Sequence, residues 1–358
     1  MNYFYEATTF ETKDGIHWKT QSNDHPRGRV LARPKYVPQD KVKPVGMRSR
    51  FIFGKAMTRF NPFAPLPIFK KYIAAFKKAY PGYIYRSPAR KQLLFAVPEN
   101  RIVNIHDGRR GLQEFLRVPP KDLDPYLKLV RELVSFLEKS GVKSSSLGIS
   151  NSTLHGNYTF GRSDIDVVIY GIGSAWKIFN FLEKHKHPLL KWKTAAEWRK
   201  YYKDHKSLAA NFSEADFVRA SIRKRNEGLF GKHVFTLFPV ERPQRPHVAW
   251  DKFRYESLGP AKVAGVVSNA RESVVRPATY ELTNAKIVSA KRKSALPLKK
   301  IVSYPLPFIQ QARKGEKVVA EGELEIVTMP NGKKFLELVV GLPTIDGKNN
   351  EGYIKTVH

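Results

Sequence analysis

The chain has 358 residues, 42% of them hydrophobic and 12% aromatic, which is enough for two or three domains with packed cores and excludes a disordered chain. It contains no cysteine, so disulfide frameworks, thiolate catalysis and thiolate-bound zinc are excluded. Its 63 Lys and Arg against 32 Asp and Glu leave a net charge of +31, and an excess of that size favours a polyanionic partner, nucleic acid above all and RNA by preference.

The excess is spread along the chain, at +7 for residues 1 to 59, +8 for 60 to 140, +9 for 141 to 250 and +7 for 251 to 358, so it is not a detachable basic tail. A lysine-rich thermophile surface would carry matching glutamate, which is missing here, although the absence of cysteine does fit adaptation to heat. No run approaches the ~20 apolar residues of a membrane span, and MNYFYEATTFETKDG lacks the layout of a signal peptide. The expected location is the cytoplasm, with no membrane partner.

FETKDGIHWKTQSNDHPRGRVLARPKYVP alternates short apolar runs with DG, HP and RG, which predicts small β-structure with turns. In the Pro-rich aromatic stretch that follows, IFKKYIAAFKKAY sets Phe69, Tyr72, Ile73 and Phe76 at helical spacing with paired lysines opposite. That pattern is a core-packed helix first, and a membrane- or RNA-facing helix second. DLDPYLKLVRELVSFLEKS predicts a helix started by Asp124 and Pro125, striped by Leu127, Val130, Val134 and Leu137, and stopped by Gly141.

Next comes LGISNSTLHGNYTFGRSDIDVVIYG. In a strand Asp164 and Asp166 project to one side, while Ile165 and Val167 go to the other. Adjacent carboxylates raise each other's pKa and are best tolerated with a cation between them, and hard oxygen ligands of this kind suit Mg²⁺ or Mn²⁺. Gly148, Asn151 and Ser152 form a small-residue turn opening onto a helix start, with Ser163 next to the acidic pair; such a turn offers backbone N–H groups and hydroxyls to phosphate. The alternative is a capped helix followed by a buried strand whose aspartates bind Lys or Arg.

Downstream, SAWKIFNFLEKHKH, TAAEWRKYYKDH and SEADFVRASIRKRN predict helices, the last with a capping box at Ser213 and Asp216. On it Arg219, Arg223, Lys224 and Arg225 are candidates for nucleic-acid phosphates or a solvated basic face. His155 lies in the phosphate turn, and His185 and His187 fit a helix end better than a zinc site. KHVFTLFPV predicts a strand. The last hundred residues, with TYELTNAKIV, KVVAEGELEIV, FLELVVGL and GYIKTV separated by MPNGKK and DGKNNEG, predict a small β-barrel-like domain.

GIS-NS-TL followed by SDIDVVIYG resembles the signature of the DNA polymerase β-like nucleotidyltransferase superfamily, a Gly-Ser turn and then a strand with alternating Asp. With HPRGRVLARPKYVP, YPGYIY, VPENRI and the C-terminal β segments, most of the chain resembles a group of archaeal predicted nucleotidyltransferases. The resemblance implies an α+β fold: an N-terminal β-rich extension over 1 to 114, a nucleotidyltransferase core over 115 to 245, and a linker with a C-terminal β-domain over 246 to 358. It implies that Asp164 and Asp166 hold Mg²⁺ or Mn²⁺ and that Ser152 with its neighbouring backbone holds the NTP phosphates. Transfer of an NMP to a hydroxyl acceptor follows. The chain departs from the pattern twice: Asn151 stands where the family has Gly, and the expected third carboxylate is missing from HVFTLFPV, which has Thr236, with Glu241 only beyond the strand. A degenerate member of the fold acting as an RNA-binding or ribosome-associated protein is therefore the alternative.

Overall fold

A computed structural model describes residues 4–62, 64–204, 212–241, 252–342, 344–345 and 352–357. The protein is mixed α+β, and it divides into two compact units: residues 106–245, and residues 1–105 together with 246–358. The N- and C-terminal segments, which read as separate domains in the sequence, thus share one unit.

The first part of that shared unit holds strands Thr9–Thr12 (β1), His17–Thr20 (β2), Arg29–Pro38 (β3), Arg48–Ile52 (β4) and Lys55–Arg59 (β5), helix Leu66–Ala79 (α1), and strands Ile84–Arg86 (β6), Leu93–Pro98 (β7) and Ile102–His106 (β8). They form a sheet in the order β4-β5-β3-β2-β1-β8, with β7 joined to β3 and β6. One face turns Phe10, Trp18, Val30, Ala32 and Val37 into a core completed by Phe69, Tyr72, Ile73 and Phe76 of α1, whose Lys70, Lys71 and Lys78 stay exposed. The basic amphipathic helix is therefore packed by its apolar stripe.

The second unit holds helices Gly108–Arg117 (α2) and Pro125–Glu138 (α3), strand Leu147–Ile149 (β9), helix Asn151–His155 (α4), strand Ile165–Tyr170 (β10), helix Ile172–Lys184 (α5), strand Leu190–Trp192 (β11), helices Ala195–Asp204 (α6) and Glu214–Lys224 (α7), and strands Glu227–Phe230 (β12) and His233–Val240 (β13). Asp124 caps α3 by accepting from the Leu127 N–H at 2.8 Å, and Ser213 caps α7 by accepting from the Asp216 N–H at 3.1 Å. Of the expected stripe on α3, Val130, Val134 and Leu137 are buried and Leu127 is only partly so, while Tyr126, Leu133 and Phe136 are buried beside them. The sheet runs β11-β12-β13-β10-β9, with β10 and β13 parallel and the other pairs antiparallel.

The remainder of the shared unit holds strands Arg254–Asn269 (β14), Ala278–Ala290 (β15), Leu298–Ser303 (β16), Lys317–Thr328 (β17), Lys334–Val340 (β18) and Tyr353–Val357 (β19). Pairing runs β14-β15-β16-β18-β17 and returns to β14, so five strands close into a barrel whose one parallel pair is β16 with β18; β19 lies on β17. The turn signal over 346–351 lies outside the described residues. Among the described residues no helix is long and apolar enough to cross a membrane.

The barrel packs on the other face of the N-terminal sheet, with Leu31, Leu94 and Ala96 against Val302, Tyr304, Val339 and Leu342. Beside them Arg90 is buried with two barrel carboxylates, 2.5 Å from Glu325 and 3.6 Å from Glu337, its guanidinium 3.5 Å from the centre of the Tyr255 ring. These charges hold Arg90 ionised against its own burial. Glu337 also pairs with Lys300 at 3.2 Å, so Arg90→Ala would leave Glu325 as the buried carboxylate without its ion-pair partner, and a loss of about 3–5 kcal/mol is expected in urea unfolding followed by far-UV circular dichroism. Arg90→Lys, which keeps the charge, is expected to lose less.

Candidate functional site

The acidic pair stands where the turn after β9 meets the first residues of β10. Asn151 opens α4 with φ +52°, a left-handed conformation that Asn tolerates better than most residues. Its Nδ2 donates to Asp166 Oδ2 at 2.9 Å, so the side chain in the glycine position of the resembling motif lies against the second aspartate. Tyr126 of α3 ties the turn to the strand: its hydroxyl meets Thr153 Oγ1 at 2.7 Å and donates to the Asp164 carbonyl at 2.9 Å. Tyr158 stacks on Tyr126 with ring centres 4.4 Å apart and reaches the Asp124 carboxylate at 2.5 Å.

His233 anchors the other side. Nδ1 lies 2.8 Å from the Ser163 carbonyl and donates to it, and Nε2 accepts from the Gly161 N–H at 3.2 Å. The loop carrying Ser163 into Asp164 is thus held to the start of β13.

Strand register supplies the carboxylate that the sequence reading lacks. Asp166 lies opposite Thr236 of β13, and Thr236 lies opposite Glu227 of β12. Directly paired residues share a face, so Asp166, Thr236 and Glu227 form one row, with the outer two about 10 Å apart across two strand spacings. The next step of the β11–β12 register brings Lys193 to Glu227, where the two side chains form an ion pair. The Lys193 ammonium also lies 4.7 Å from the centre of the Trp198 ring and 5.1 Å from that of Tyr201.

Asp164 is exposed at its edge, yet its carboxyl is pushed up to about 6, first by the protein packed around it and then by the charges of Asp166 and Glu227; Lys193 only partly opposes them. Among the described residues, the positive charge acting on Asp164 does not offset these effects. Among the described residues no three Asp, Glu or His side chains already form a metal-binding group. The Asp164–Asp166 pair nevertheless suits Mg²⁺, which takes one or two carboxylates and fills its remaining positions with water and substrate phosphate.

The other residues picked out from the sequence divide. Gly148 is buried: a Cβ there would lie 2.8 Å from the Gly108 carbonyl carbon, so its lack of a side chain serves the approach of α2 to β9 rather than an open phosphate contact. Ser152 is half-buried and shares a side-chain hydrogen bond with Tyr126. The Ser163 hydroxyl accepts from the Thr159 N–H at 2.8 Å, closing its own loop. On α7, Arg219 is exposed and 3.4 Å from Asp216, and Arg225 lies 5.0 Å over the Trp192 ring.

Lys224 departs from the expected basic face. It is buried with Phe217, Val218, Ala220 and Ser221 on the inner side of α7, and burial, then Arg223, pushes its pKa down to about 7. His185 stacks on Phe181 at 4.1 Å, and His187 lies 4.8 Å from the Phe136 ring.

Glu227 and Lys193 were missed because β12 was not read as a strand. The signal was present in EGLFGKHVFTLFPV: a two-residue Gly-Lys turn, with Gly231 at φ +61°, joins Phe230 to His233. Counting back from that turn puts Glu227 opposite Thr236. Tyr126 had no comparable signal, since its position one residue before the anticipated stripe reads as an ordinary helix residue.

No family model matches the chain. It is similar to a protein of Methanocaldococcus jannaschii described as uncharacterized, with 28% identity over 336 residues, 92% of this chain and 93% of that one. The similarity therefore runs through both units.

A carboxyl whose folded pKa lies above its unfolded value binds more protons folded than unfolded between the two, so its contribution falls as pH rises through that window and stays unfavourable above it. For Asp164 the window runs from 3.8 to about 6. Without added metal, Asp164→Asn is expected to melt at a higher temperature than the parent chain at pH 7.5 and at the same temperature below pH 3.8, as read by scanning calorimetry.

Proposed function

We propose that the chain is a metal-dependent nucleotidyltransferase of the polymerase β-like kind, moving an NMP from an NTP to a hydroxyl acceptor on or near RNA. The observation that carries this reading is the row Asp166, Thr236 and Glu227 with Asp164 at its edge, three carboxylates on one face of a single mixed sheet. Asp164 and Asp166 would hold Mg²⁺ or Mn²⁺, which supplies a Lewis acid for charge developing on the transferred phosphate. Glu227 stands in for the missing third acid. It takes the proton of the acceptor hydroxyl as that oxygen bonds to the α-phosphorus and the bond to pyrophosphate breaks.

Lys193 orients Glu227, and the aromatic rings around its ammonium limit where that charge can go. Ser152 and the adjoining backbone face the β- and γ-phosphates in this reading. The left-handed Asn151, with its amide turned to Asp166, keeps the side chain from crowding them. A second reading, the degenerate fold that binds RNA without transfer, is favoured by those same contacts, because Asn151 and Lys193 already partner Asp166 and Glu227.

Incubation with α-labelled NTPs, RNA and Mg²⁺ or Mn²⁺ separates the two. Pyrophosphate release and labelled acceptor are expected from the parent chain, and neither from Asp164→Asn combined with Asp166→Asn. Glu227→Gln is expected to lower the rate by about 10²-fold or more, the scale of a lost general base. Asn151→Gly should leave the rate unchanged or raise it. Absence of turnover and of nucleotide binding with every NTP, alongside tight RNA binding, establishes the second reading instead.

A further inference from the structure

The outer face of the N-terminal sheet gathers arginines where packing would be expected to avoid them. In β4 and β5, Arg48 lies directly opposite Arg59, and in β2 and β3, Lys19 lies directly opposite Arg33. Like charges in direct cross-strand register repel. A shift of register between His17 and Trp18 returns Tyr36 and Arg33, three residues apart on β3, to the same side, away from Trp18 and the core; Tyr36 in turn lies opposite Arg59.

Further along β3 this face meets the barrel at Leu31. At that rim the loop between β14 and β15 contributes Arg276, ion-paired with the buried Glu6. Arg33 is half-buried, and its pKa is lowered to about 10, first by burial and then by Arg276, with Glu6 opposing and Arg59 adding to the effect. Two guanidinium groups thus act on Arg33, with the Glu6 carboxylate opposing them. Among the described residues, Arg33, Arg48 and Arg59 have no acidic ion-pair partner.

Aromatic surface lies on the same side. Phe53, at the left-handed tip of the β4–β5 hairpin, folds back to stack on His17 with centres 3.8 Å apart and planes within 9°, and meets the Tyr36 ring edge-on at 6.1 Å. It remains 41% exposed, so it offers an aromatic surface above the strand from which the arginines project.

We propose that this face binds single-stranded RNA, with Arg33, Arg59, Arg48 and Arg276 taking backbone phosphates and Phe53 with Tyr36 stacking a base. Guanidinium groups match phosphate oxygens in pairs. Base stacking on exposed rings along a basic groove is how single strands are held without sequence readout. The barrel adds a second reason. Small five-stranded Greek-key barrels bind oligonucleotides on a face bordered by the loop between their first two strands, which here is the loop that carries Arg276. The proposal shares with the transfer reaction only the class of its acceptor and stands whether or not transfer occurs.

The test is fluorescence anisotropy on the full chain with a labelled, mixed-sequence, single-stranded RNA of about 15 nucleotides, the length one such face can cover, titrated at several salt concentrations without nucleotide or metal. Arg48→Glu places opposite charges across from each other, so it is expected to melt no lower than the parent chain while binding RNA about tenfold more weakly. In the double variant Arg48→Glu, Arg59→Glu, the slope of log affinity against log salt should fall by about 1.4, the loss of two phosphate contacts to a single strand. Phe53→Ala should weaken binding about tenfold, the scale of one lost base stack, at an unchanged slope.

Lys139→Glu with Lys200→Glu, an equal charge change on exposed helix positions of the other unit, serves as the control. Affinity losses no larger than this control, or tight binding insensitive to Phe53→Ala and matched by heparin, overturn the proposal. The former would make the effect one of net charge, and the latter would make the face a general polyanion surface. Loss of RNA binding on these changes with transfer to a small hydroxyl acceptor retained separates this face from the acidic site.

Discussion

The parallel pairing of β10 with β13 is the constraint on which the candidate site depends. It joins the acidic strand to a hairpin formed later in the chain, and by setting Asp166 against Thr236 it decides which residue of β12 comes next in the row. A slip of one residue would turn Phe235 toward Asp166 and bury the carboxylate against an apolar neighbour. The fold guards against that slip on both sides. Ile165, Val167, Phe235 and Leu237 are buried on the opposite face, while Tyr126 and His233 fix the loop ends by hydrogen bonds to backbone. The site's geometry is therefore a consequence of core packing, with the polar residues riding on it.

Much of this was legible locally. Helices α1, α3 and α7 announce themselves by apolar stripes and by the caps Asp124 and Ser213, because both signals arise within a few turns of chain. The acidic strand was legible for the same reason, since alternation is a property of neighbours. The long strand β14 was not. The β-like runs of the last hundred residues begin with TYELTNAKIV, after it; in the structure Gly259, at φ +91°, sits at the shift of register between Ser257 and Gly259, and the strand continues past it. The union of the N- and C-terminal segments was also beyond local reading. It depends on Leu31 meeting Val302 and on Arg90 meeting Glu325, residues more than two hundred positions apart, and neither pair leaves a mark in its own neighbourhood.

The charge excess acts differently in different places. Where both signs are present and buried, as at Arg90 with Glu325 and Glu337, it ties the sheet to the barrel. Removing one member of such a pair is strongly destabilising, because it leaves the other charge buried alone. Elsewhere the excess is tolerated by exposure, as along the lysines of α1. The face around Arg33 fits neither pattern, being partly buried and largely one-signed, and folding alone gives no reason to keep it.

The acidic site is the mirror image of that face. In a chain with 63 Lys and Arg, a carboxylate has ample opportunity to acquire a basic partner. Asp164 has no ion-pair partner among the described residues, and the groups around it and Asp166 are largely neutral hydrogen-bonding ones: Tyr126, Thr153, Thr236 and Asn151. Lys193, whose charge acts on Asp164, is ion-paired with Glu227. A purely structural aspartate pair would relax toward an arginine, lowering its pKa and stabilising the fold. Keeping Asp164 exposed and raised instead costs stability, a cost that a bound cation would offset. The same inference, with the signs reversed, applies to Arg33 and its neighbours. The two units thus carry opposite one-sided charge arrangements, one suited to a cation and the other to phosphate.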